Sequence, residues 1–440
     1  MAASVCIDGF NISLKRGSGV ATYGRNLLSC LTALGYETQI LYGPQRQLKI
    51  NALLSEVSLF DASPVPPPFA RLSETLDWLT PPTTRRARRV NQSGVVITRQ
   101  LAPRAPPVDV RWSIPNVFHR ANRAFVTWRG MTPVRLGGAG AGGPQIMHWT
   151  CPLPMRAPRA ANVYTFHDVV PLRLPFATLD NKRRFYRLCE RLLRQADHVV
   201  SVSETTKQDL IKVFGVPEAR ITTTYQSVDL ARYVDPKSDD DAAREIAGVF
   251  NLDWRGYFLF FGGIEPKKNL PRIIEAYLAS GVATPLILVG GKGWLDEDEL
   301  RLMHHDLIEI RALRDQVLRR EDRIRRYDYL PISLLVSLIR GAKATLFPSL
   351  YEGFGLPVLE SMQLGAPVLT STAGSLPEVA GEAALSVDPY DTQAIRRGIE
   401  ALDADEGLRT DLAARGRAQA VKFSPAAHQQ RLADVYARLV

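Results

Sequence analysis

Short apolar runs alternate with amphipathic helical patterns along most of the chain, and this alternation limits the possible folds more than any other feature. One series contains the strand-like runs "SVCIDG", "TQILYG", "QIMHW", "NVYTF", "HVVSVS" and "RITTTY". A second series contains "YFLFFGG", "PLILVGG", "RIRRYDYL", "ATLFPS" and "APVLTS". Strands separated by helices form parallel sheets, so we expect an α/β chain with two Rossmann-like, doubly wound parallel-sheet domains.

A polar stretch, "DPKSDDDAAREIAGVF", separates the two series and predicts the domain boundary. The predicted division is an N-terminal domain of residues 1–240, a C-terminal domain of residues 241–423, and a last helix, 424–440, that could pack back on the first domain. Residues 44–144 are irregular and include an arginine cluster at Arg85 to Arg89, so we expect long loops there. A long charged helix is expected around Asp298 to Arg319.

The composition indicates a soluble globular protein with anionic partners. The chain has 440 residues, of which 45% are hydrophobic, and a net charge of +10. Its apolar runs are far shorter than the roughly 20 residues that cross a bilayer, and the N-terminal stretch lacks the features of a secretory signal. The four cysteines are too scattered for a zinc site or a disulfide framework. We therefore expect a cytoplasmic protein.

Two glutamates surround a glycine-containing turn in "LFPSLYEGFGLPVLESMQLGAPVLTS". Glu352 directly follows a predicted strand, and Glu360 lies about one turn into the helix that Leu356 begins. In open α/β sheets, ligands bind at the carboxyl ends of strands. Paired carboxylates can accept hydrogen bonds from adjacent sugar hydroxyls. The alternative from spacing alone is that both glutamates face solvent.

Two lysines precede a helix in "FFGGIEPKKNL". We predict Asn269 as the N-cap of this helix, which places Lys267 and Lys268 at its start. A lysine beside a helix N-terminus is a suitable partner for a phosphate group. The alternative is again a pair of solvent-exposed charges.

The stretches "GGIEPKKNL", "LFPSLYEGFGLPVLESMQLGAPVLTS" and "GSLPEVAGEAALSVDPYD" together resemble a known domain. They are similar to the nucleotide-sugar half of retaining glycosyltransferases with the GT-B fold, most closely glycosyltransferase family 4 (glycosyl transferases group 1). The resemblance extends over about residues 257–391. It implies a GT-B fold, with two Rossmann-like domains facing an interdomain cleft.

The resemblance also implies roles for individual residues of the second half. Glu352 would contact the transferred sugar by hydrogen bonding, Glu360 would bind the ribose, and Lys268 would hold the diphosphate. The arginine that many relatives have before this lysine is missing here, so Lys267 or an arginine of the first half would share its task. The donor-binding loop would consist of Gly353, Phe354, Gly355 and Leu356.

Two stretches of the first half resemble the same family more loosely. "GSGVATYGRNLL" is similar to its glycine loop, and "TFHDVVPLRLP" to the segment with its active-site histidine. The resemblance places Gly17, Gly19 and His167 in the cleft, with His167 and Glu352 as the catalytic residues. From the residues alone, an ordinary βα turn is favoured for the two glycines, since they do not form GxGxxG, and a structural role is favoured for His167.

The activity implied is transfer of a hexose with retention, mannose or a related sugar, from a nucleotide diphosphate sugar such as GDP-mannose. The acceptor would be a saccharide, and a lipid-linked one fits bacterial surface polysaccharide or lipopolysaccharide biosynthesis. We expect no cofactor and no metal. The Asp-x-Asp in "SDDDAAR" has no strand before it, so we interpret it as a polar helix start rather than a metal motif.

A strongly basic amphipathic helix is predicted in "NKRRFYRLCERLLRQ". Together with the cluster at Arg85 to Arg89, it suits peripheral contact with an anionic membrane, which would place the protein on the inner face of the plasma membrane. A helix with one core-facing stripe and a solvated basic face explains the pattern equally well. The residues that form the pattern are Arg184, Phe185, Arg187, Leu188, Arg191, Leu192 and Arg194.

Two functions from other classes remain open from the sequence. A nucleotide-sugar epimerase of similar architecture would bind the same donor without an acceptor. A nucleic-acid-binding protein would use the positive net charge, but the arginines are spread over both halves and no recognisable nucleic-acid motif accompanies them. We therefore expect no nucleic-acid partner.

Overall fold

The computed structural model describes residues 3–14, 19–45, 51–61, 81–97, 105–137, 142–230, 237–291, 308–310 and 323–440. Within these ranges, no helix is both long enough and apolar enough to cross a membrane. The expected architecture is confirmed, because two mainly parallel sheets with helices around them border a common cleft.

The first large sheet has strand order β11-β10-β9-β7-β1-β2-β5-β4. All of its pairs are parallel except β4 with β5, which is antiparallel. The strands β3, β6 and β8 form a small separate sheet. The strands of this half are β1 (Ser4–Asp8), β2 (Glu37–Tyr42), β3 (Arg85–Arg86), β4 (Arg88–Val90), β5 (Val110–Ser113), β6 (Thr132–Arg135), β7 (Ile146–Trp149), β8 (Met155–Arg156), β9 (Ala161–Phe166), β10 (His198–Ser201) and β11 (Ile221–Thr223).

The helices of the first half have clear local signals at their ends. Asn181 and Ser203 cap the helices that follow them, since each side chain accepts a hydrogen bond from the backbone N–H three residues later. Gly215 ends the second of these helices with a φ of 65°. The helices are α1 (Gly19–Ala33), α2 (Ala52–Phe60), α3 (Val117–Trp128), α4 (Val170–Arg173), α5 (Lys182–Gln195) and α6 (Glu204–Phe214).

The second sheet has strand order β14-β15-β13-β12-β16-β17-β18 and is parallel throughout. Several of its strands are buried at every position, which explains their continuous apolar sequences. Its strands are β12 (Phe258–Phe261), β13 (Leu286–Val289), β14 (Ile308–Ile310), β15 (Ile324–Tyr327), β16 (Ala344–Phe347), β17 (Val368–Ser371) and β18 (Leu385–Val387).

The helices of the second half include the polar start predicted at "SDDDAAR", which is the N-terminus of α7 with Ser238 as its cap. They are α7 (Asp239–Phe250), α8 (Leu270–Ser280), α9 (Ile332–Gly341), α10 (Leu356–Gln363), α11 (Leu376–Ala380), α12 (Thr392–Ala404), α13 (Glu406–Ala420) and α14 (Pro425–Tyr436). The last of them, α14, packs on the first half, where Leu432, Val435 and Tyr436 join a core that contains Ile7 and Leu27.

Two expectations about secondary structure are wrong. The helix predicted around Asp298 to Arg319 is contradicted at Ile308–Ile310, which form the edge strand β14 because their backbone pairs with β15. The remainder of that stretch lies outside the described residues. The arginine cluster at Arg85 to Arg89 is partly in strands rather than loops, since β4 pairs with β5 and buries Val90.

Candidate active site

A cleft of about 1090 Å³ lies between the two halves, at the carboxyl ends of their strands. It has the size of a site for a nucleotide-sized ligand. Ten of the eleven residues predicted for the site line it: Gly19, His167, Lys267, Lys268, Glu352, Gly353, Phe354, Gly355, Leu356 and Glu360. The eleventh, Gly17, lies outside the described residues. The structure therefore brings the two halves of the predicted site together.

Glu352 and the two lysines form a buried ion cluster at the base of this cleft. The Nζ atom of Lys268 donates to Oε1 of Glu352 at 2.5 Å, and Nζ of Lys267 lies 3.5 Å from Oε2. Glu352 is 6% exposed and Lys268 is 9% exposed. The alternative in which these residues are solvated surface charges is therefore wrong.

Lys267 faces carboxylates from both halves of the chain. Its Nζ atom lies 3.8 Å from Asp168 Oδ2 of the first half and 3.8 Å from Glu265 Oε2 of its own loop. Burial alone would lower the pKa of Lys267, but Glu352, Asp168 and Glu265 raise it above its usual value. Lys267 is therefore a permanent cation that connects the two walls of the cleft.

The carboxylates respond to burial and to these lysines in different ways. Burial works to raise the pKa of Glu352, but Lys268 and Lys267 hold it below its usual value, so Glu352 is ionised. Burial raises the pKa of Glu265, against the opposing effect of the lysines. Burial also raises the pKa of Glu360 to about 7, with only weak opposition from Lys268. Glu360 therefore exchanges a proton near neutral pH.

The loop between β16 and α10 lines the cleft with residues 353–355. Within the described part of the chain, the N–H groups of residues 353–355 donate no hydrogen bond. They lie directly before the N-terminus of α10, where the helix dipole favours negative charge. Gly355 has a φ of 97°, a conformation that favours glycine. This arrangement suits a phosphate or an electronegative sugar oxygen.

Gly353 is required by a close contact across the cleft. A Cβ atom at this position would lie 1.9 Å from the carbonyl oxygen of His167 and 2.8 Å from Cβ of Asp168. The hydroxyl of Thr206 donates to the carbonyl oxygens of both His167 and Gly353, at 3.2 and 3.3 Å. The two walls are thus in direct backbone contact here.

His167 follows β9 and has a defined protonation state. Its Nε2 atom lies 2.8 Å from the carbonyl oxygen of Thr150, which can only accept, so Nε2 carries the proton. Burial lowers the pKa of His167, so the ring is neutral and Nδ1 is its acceptor. The ring of Tyr23 packs edge to face against it at 5.0 Å. A neutral, fixed histidine can accept a hydrogen bond from a sugar hydroxyl.

Asn269 does not act as the helix cap that the sequence predicted. It occupies the N-cap position of α8, but its φ is 64° and its side chain makes no cap hydrogen bond. Instead, Nδ2 donates to the carbonyl oxygens of Pro348 and Pro389, at 2.9 and 2.7 Å. The first bond joins the loop that carries the two lysines to the loop after β16, and the second joins it to the segment after β18. The side chain therefore links loops instead of capping α8.

Two further residues position the cleft and were missed from the sequence. Glu265 lines it, and its place after β12 at the ligand-binding edge was a usable signal. Glu378 accepts hydrogen bonds from the N–H groups of Glu204 and Thr205, at 2.7 and 3.2 Å, and so joins α11 to the start of α6. No sequence pattern could indicate this contact, because its partners are 174 and 173 residues apart.

Two family models match successive parts of the chain. Residues 92–232 match the model described as Glycosyltransferase Family 4. Residues 250–419 match the model described as Glycosyl transferases group 1. The second match includes the lysine pair, all three cleft glutamates and the loop before α10.

Curated relatives with sequence similarity include two mannosyltransferases of Escherichia coli. The chain is 35% identical to "O-antigen chain mannosyltransferase B" over an alignment of 277 residues. This alignment covers 62% of this chain and 68% of the relative. It is 28% identical to "Serotype-specific mannosyltransferase WbdA" over an alignment of 264 residues. This alignment covers 59% of this chain and only 31% of that longer relative.

Solved structures with the same fold cover nearly the whole chain. Sucrose-phosphate synthase from Thermosynechococcus elongatus has a TM-score of 0.66 at 17% identity, over 99% of both chains. WaaG, a glycosyltransferase involved in lipopolysaccharide biosynthesis, has a TM-score of 0.56 at 13% identity, over 98% of this chain and 99% of its own. At these identities the likeness concerns the fold alone.

Proposed function

Since the chain belongs to glycosyltransferase family 4 and has the GT-B fold, we propose that it transfers mannose from GDP-mannose to a saccharide acceptor, with retention at the anomeric carbon. Membership of a glycosyltransferase family favours this activity over the epimerase and nucleic-acid alternatives. The observation that carries the proposal is the buried cluster of Lys267, Lys268 and Glu352, beside the open amides of residues 353–355.

The lysines and amides hold the diphosphate of the donor. Lys268 uses one of its three N–H bonds for Glu352, which leaves the others for phosphate oxygens. Lys267 adds a second permanent charge from the same loop. Preorganised cations and amides stabilise the charge that develops on the leaving diphosphate, so no metal is needed for this step.

The glutamates and His167 hold the sugar and the ribose. Glu352, ionised between the lysines, accepts hydrogen bonds from hydroxyls of the transferred sugar. Glu360 accepts hydrogen bonds from the ribose, and its carboxylate has no hydrogen-bond partner among the described residues. His167 accepts a hydrogen bond at Nδ1 from a sugar hydroxyl on the opposite wall.

The transfer exchanges one bond at the anomeric carbon. The bond from this carbon to the diphosphate oxygen breaks, and the acceptor oxygen bonds to the same carbon. The proton of the acceptor hydroxyl passes to the departing diphosphate. The protein supplies position and charge stabilisation, and Glu352 is not a nucleophile in this scheme.

The names of the relatives support mannose as the transferred sugar and also the biological setting. "O-antigen chain mannosyltransferase B", at 35% identity, suggests mannose as the sugar and the O-antigen part of lipopolysaccharide as the product. We extend this to a lipid-linked saccharide acceptor, which would require the enzyme to work at the inner face of the plasma membrane.

A panel of nucleotide sugars tests the proposal. Purified protein, membrane lipid extract and each radiolabelled donor are incubated, and label in the saccharide fraction is measured. We expect transfer from GDP-mannose that EDTA does not reduce, and an α-linked product by NMR, since the donor is α-linked.

Two site variants and one matched control make the test specific to the cleft. Lys268→Ala and Glu352→Ala should each lower kcat/KM by about 100-fold or more, as expected for loss of charge stabilisation. Lys343→Ala is the control, because Lys343 is also an ion-paired lysine of the second half, 2.7 Å from Asp403, but lies outside the cleft. Full activity of both site variants would refute the assignment of the site.

A further inference from the structure

The segment that leads into α5 exposes apolar side chains on the protein surface. Phe176 is 62% exposed, Leu179 is 68% exposed, and Tyr186 on the first turns of α5 is 40% exposed. Single exposed apolar residues are common, but three within eleven residues of chain form a cluster. Clusters of exposed apolar side chains are typical of surfaces that bind another protein or a membrane.

Arginines surround these apolar side chains. The helix α5 contains six basic residues and a single glutamate, Glu190, which pairs with Arg194. Arg183 and Arg191 are exposed. The pKa of Arg187 lies below its usual value through partial desolvation and through the nearby charges of Arg129 and Arg183. The positive charges are thus close enough to repel each other, and an anionic partner would relieve this.

We call the surface formed by Phe176, Leu179, Tyr186, Arg183, Arg187 and Arg191 the basic patch. It continues onto α3, because Arg184 donates to the side-chain oxygen of Asn122 at 3.1 Å. At the end of α3, Trp128 is 49% exposed and Arg129 is exposed. Both helices therefore contribute apolar and positive side chains to one face of the first half.

The basic patch borders the opening of the cleft. Ala177, Thr178, Asp180 and Phe185 line the cleft, and they alternate along the chain with Phe176 and Leu179, which face outward. A surface in contact with the patch would therefore lie directly beside the first-half wall of the cleft.

We propose that the basic patch docks the enzyme on an anionic lipid bilayer, with Phe176 and Leu179 inserted at the headgroup boundary and the arginines on lipid phosphates. Exposed apolar side chains with arginines around them match the two components of interfacial binding, apolar burial and attraction to anionic lipid. Docking would place the cleft opening at the membrane surface. The inference that this delivers the acceptor rests on the proposed function, whereas the docking itself does not.

Vesicle binding tests the proposal on the full-length protein. Cosedimentation is measured with vesicles of phosphatidylcholine alone and with an equimolar mixture of phosphatidylcholine and phosphatidylglycerol. We expect binding to the anionic vesicles only, and release at 1 M salt, where the Debye length is about 3 Å. Phe176→Ser/Leu179→Ser and Arg183→Gln/Arg187→Gln should each weaken the partition coefficient by roughly tenfold or more.

Matched control variants separate the patch from general surface effects. Val249→Ser/Val421→Ser removes apolar side chains that are 45% and 68% exposed in the second half. Arg397→Gln/Arg415→Gln removes the same charge there. Both controls should bind vesicles like the wild type.

Three results would overturn the docking proposal. The first is that the wild type binds neutral and anionic vesicles equally, or that it binds neither kind. The second is an equal loss in control and patch variants. The third is salt-sensitive binding to a random DNA duplex that only the arginine variant loses, with no vesicle binding. Binding of GDP-mannose by the same samples, measured by calorimetry, reports on the proposed function separately.

Discussion

The proton on Glu360 should make donor binding depend on pH. Its pKa is about 7 in the free protein, against an ordinary value of 4.5, because the carboxyl is buried. The ionised carboxylate offers one acceptor oxygen to each ribose hydroxyl, whereas protonation turns one of these oxygens into a donor and weakens the pair of hydrogen bonds. We therefore expect the affinity for GDP-mannose to rise by about tenfold between pH 6 and pH 8, in step with ionisation. Calorimetric titrations at pH 6, 7 and 8 measure this, since the phosphates of GDP-mannose do not titrate in that range.

Glu360→Gln is the control for this pH effect, because the amide cannot titrate. Its affinity for GDP-mannose should be lower than that of the wild type at pH 8 and nearly constant with pH. Stability changes in the opposite direction: a raised pKa stabilises the folded state at low pH, and this contribution is lost as pH rises through 7. The prediction fails if wild type and variant show the same slope of affinity against pH.

Gly353 should tolerate no side chain. In Gly353→Ala, the new Cβ atom would lie 1.9 Å from the carbonyl oxygen of His167, so one wall of the cleft must move. A displacement of about 1 Å at a reacting site can cost roughly 100-fold in rate. We expect a loss of that size in kcat, while circular dichroism shows a folded protein.

Gly248→Ala is the matched control for the glycine prediction. Gly248 lies within α7, and a Cβ atom there meets nothing within 4 Å. Alanine should leave activity unchanged and stabilise the helix by up to about 1 kcal/mol. Equal activities of the two variants would show that the contact between Gly353 and His167 is not needed for transfer.

At the scale of elements, Glu378 should hold α6 against the second half. Its carboxylate accepts from two backbone N–H groups and from the hydroxyl of Thr205, at the positive end of the α6 dipole. Glu378→Ala should destabilise the protein by about 1–3 kcal/mol, because two N–H groups lose their partner. Glu378→Gln keeps an acceptor oxygen and should lose less. Thermal unfolding measures the stabilities of the two variants. Glu382→Ala is the control, because Glu382 is exposed.

The elements themselves could be predicted well, since periodicity and turn residues are local. The runs "YFLFFGG" and "ATLFPS" became buried parallel strands, and the helix expected after Leu356 begins there. Ile308–Ile310 could not be predicted in the same way, because this edge strand depends on the backbone of β15 to pair with it. Strand formation here is decided by tertiary contacts rather than by local sequence.

The site could be predicted in part for a related reason. Residues such as Glu352 and Lys268 follow strands whose carboxyl ends meet at one edge, so their convergence is a consequence of the fold. The contacts across the cleft, such as Thr206 with the carbonyl of His167, depend on how the two halves face each other. Nothing in the local sequence specifies that arrangement.

At the scale of the whole molecule, one buried chain of hydrogen bonds connects the last helix to the cleft. The hydroxyl of Tyr436 lies 2.5 Å from Nδ1 of His148, whose Nε2 lies 2.7 Å from the hydroxyl of Thr165. That hydroxyl lies 2.8 Å from the hydroxyl of Tyr23, whose ring packs against His167. Burial lowers the pKa of His148 to about 3, so its ring is neutral and needs both partners.

Tyr436→Phe should therefore affect both stability and catalysis. The side chain of His148 is 0% exposed, and the variant leaves its Nδ1 atom without a hydrogen-bond partner. This should lower the free energy of unfolding by about 1–3 kcal/mol. Tyr390→Phe, on a residue that is 55% exposed, should cost less than about 0.5 kcal/mol. Because Tyr23 and Tyr436 belong to one network, the double variant Tyr23→Phe/Tyr436→Phe should deviate from additivity by about 0.5 kcal/mol or more. If urea unfolding shows additive losses, and Tyr436→Phe leaves kcat unchanged, then α14 stabilises the first half without influencing His167.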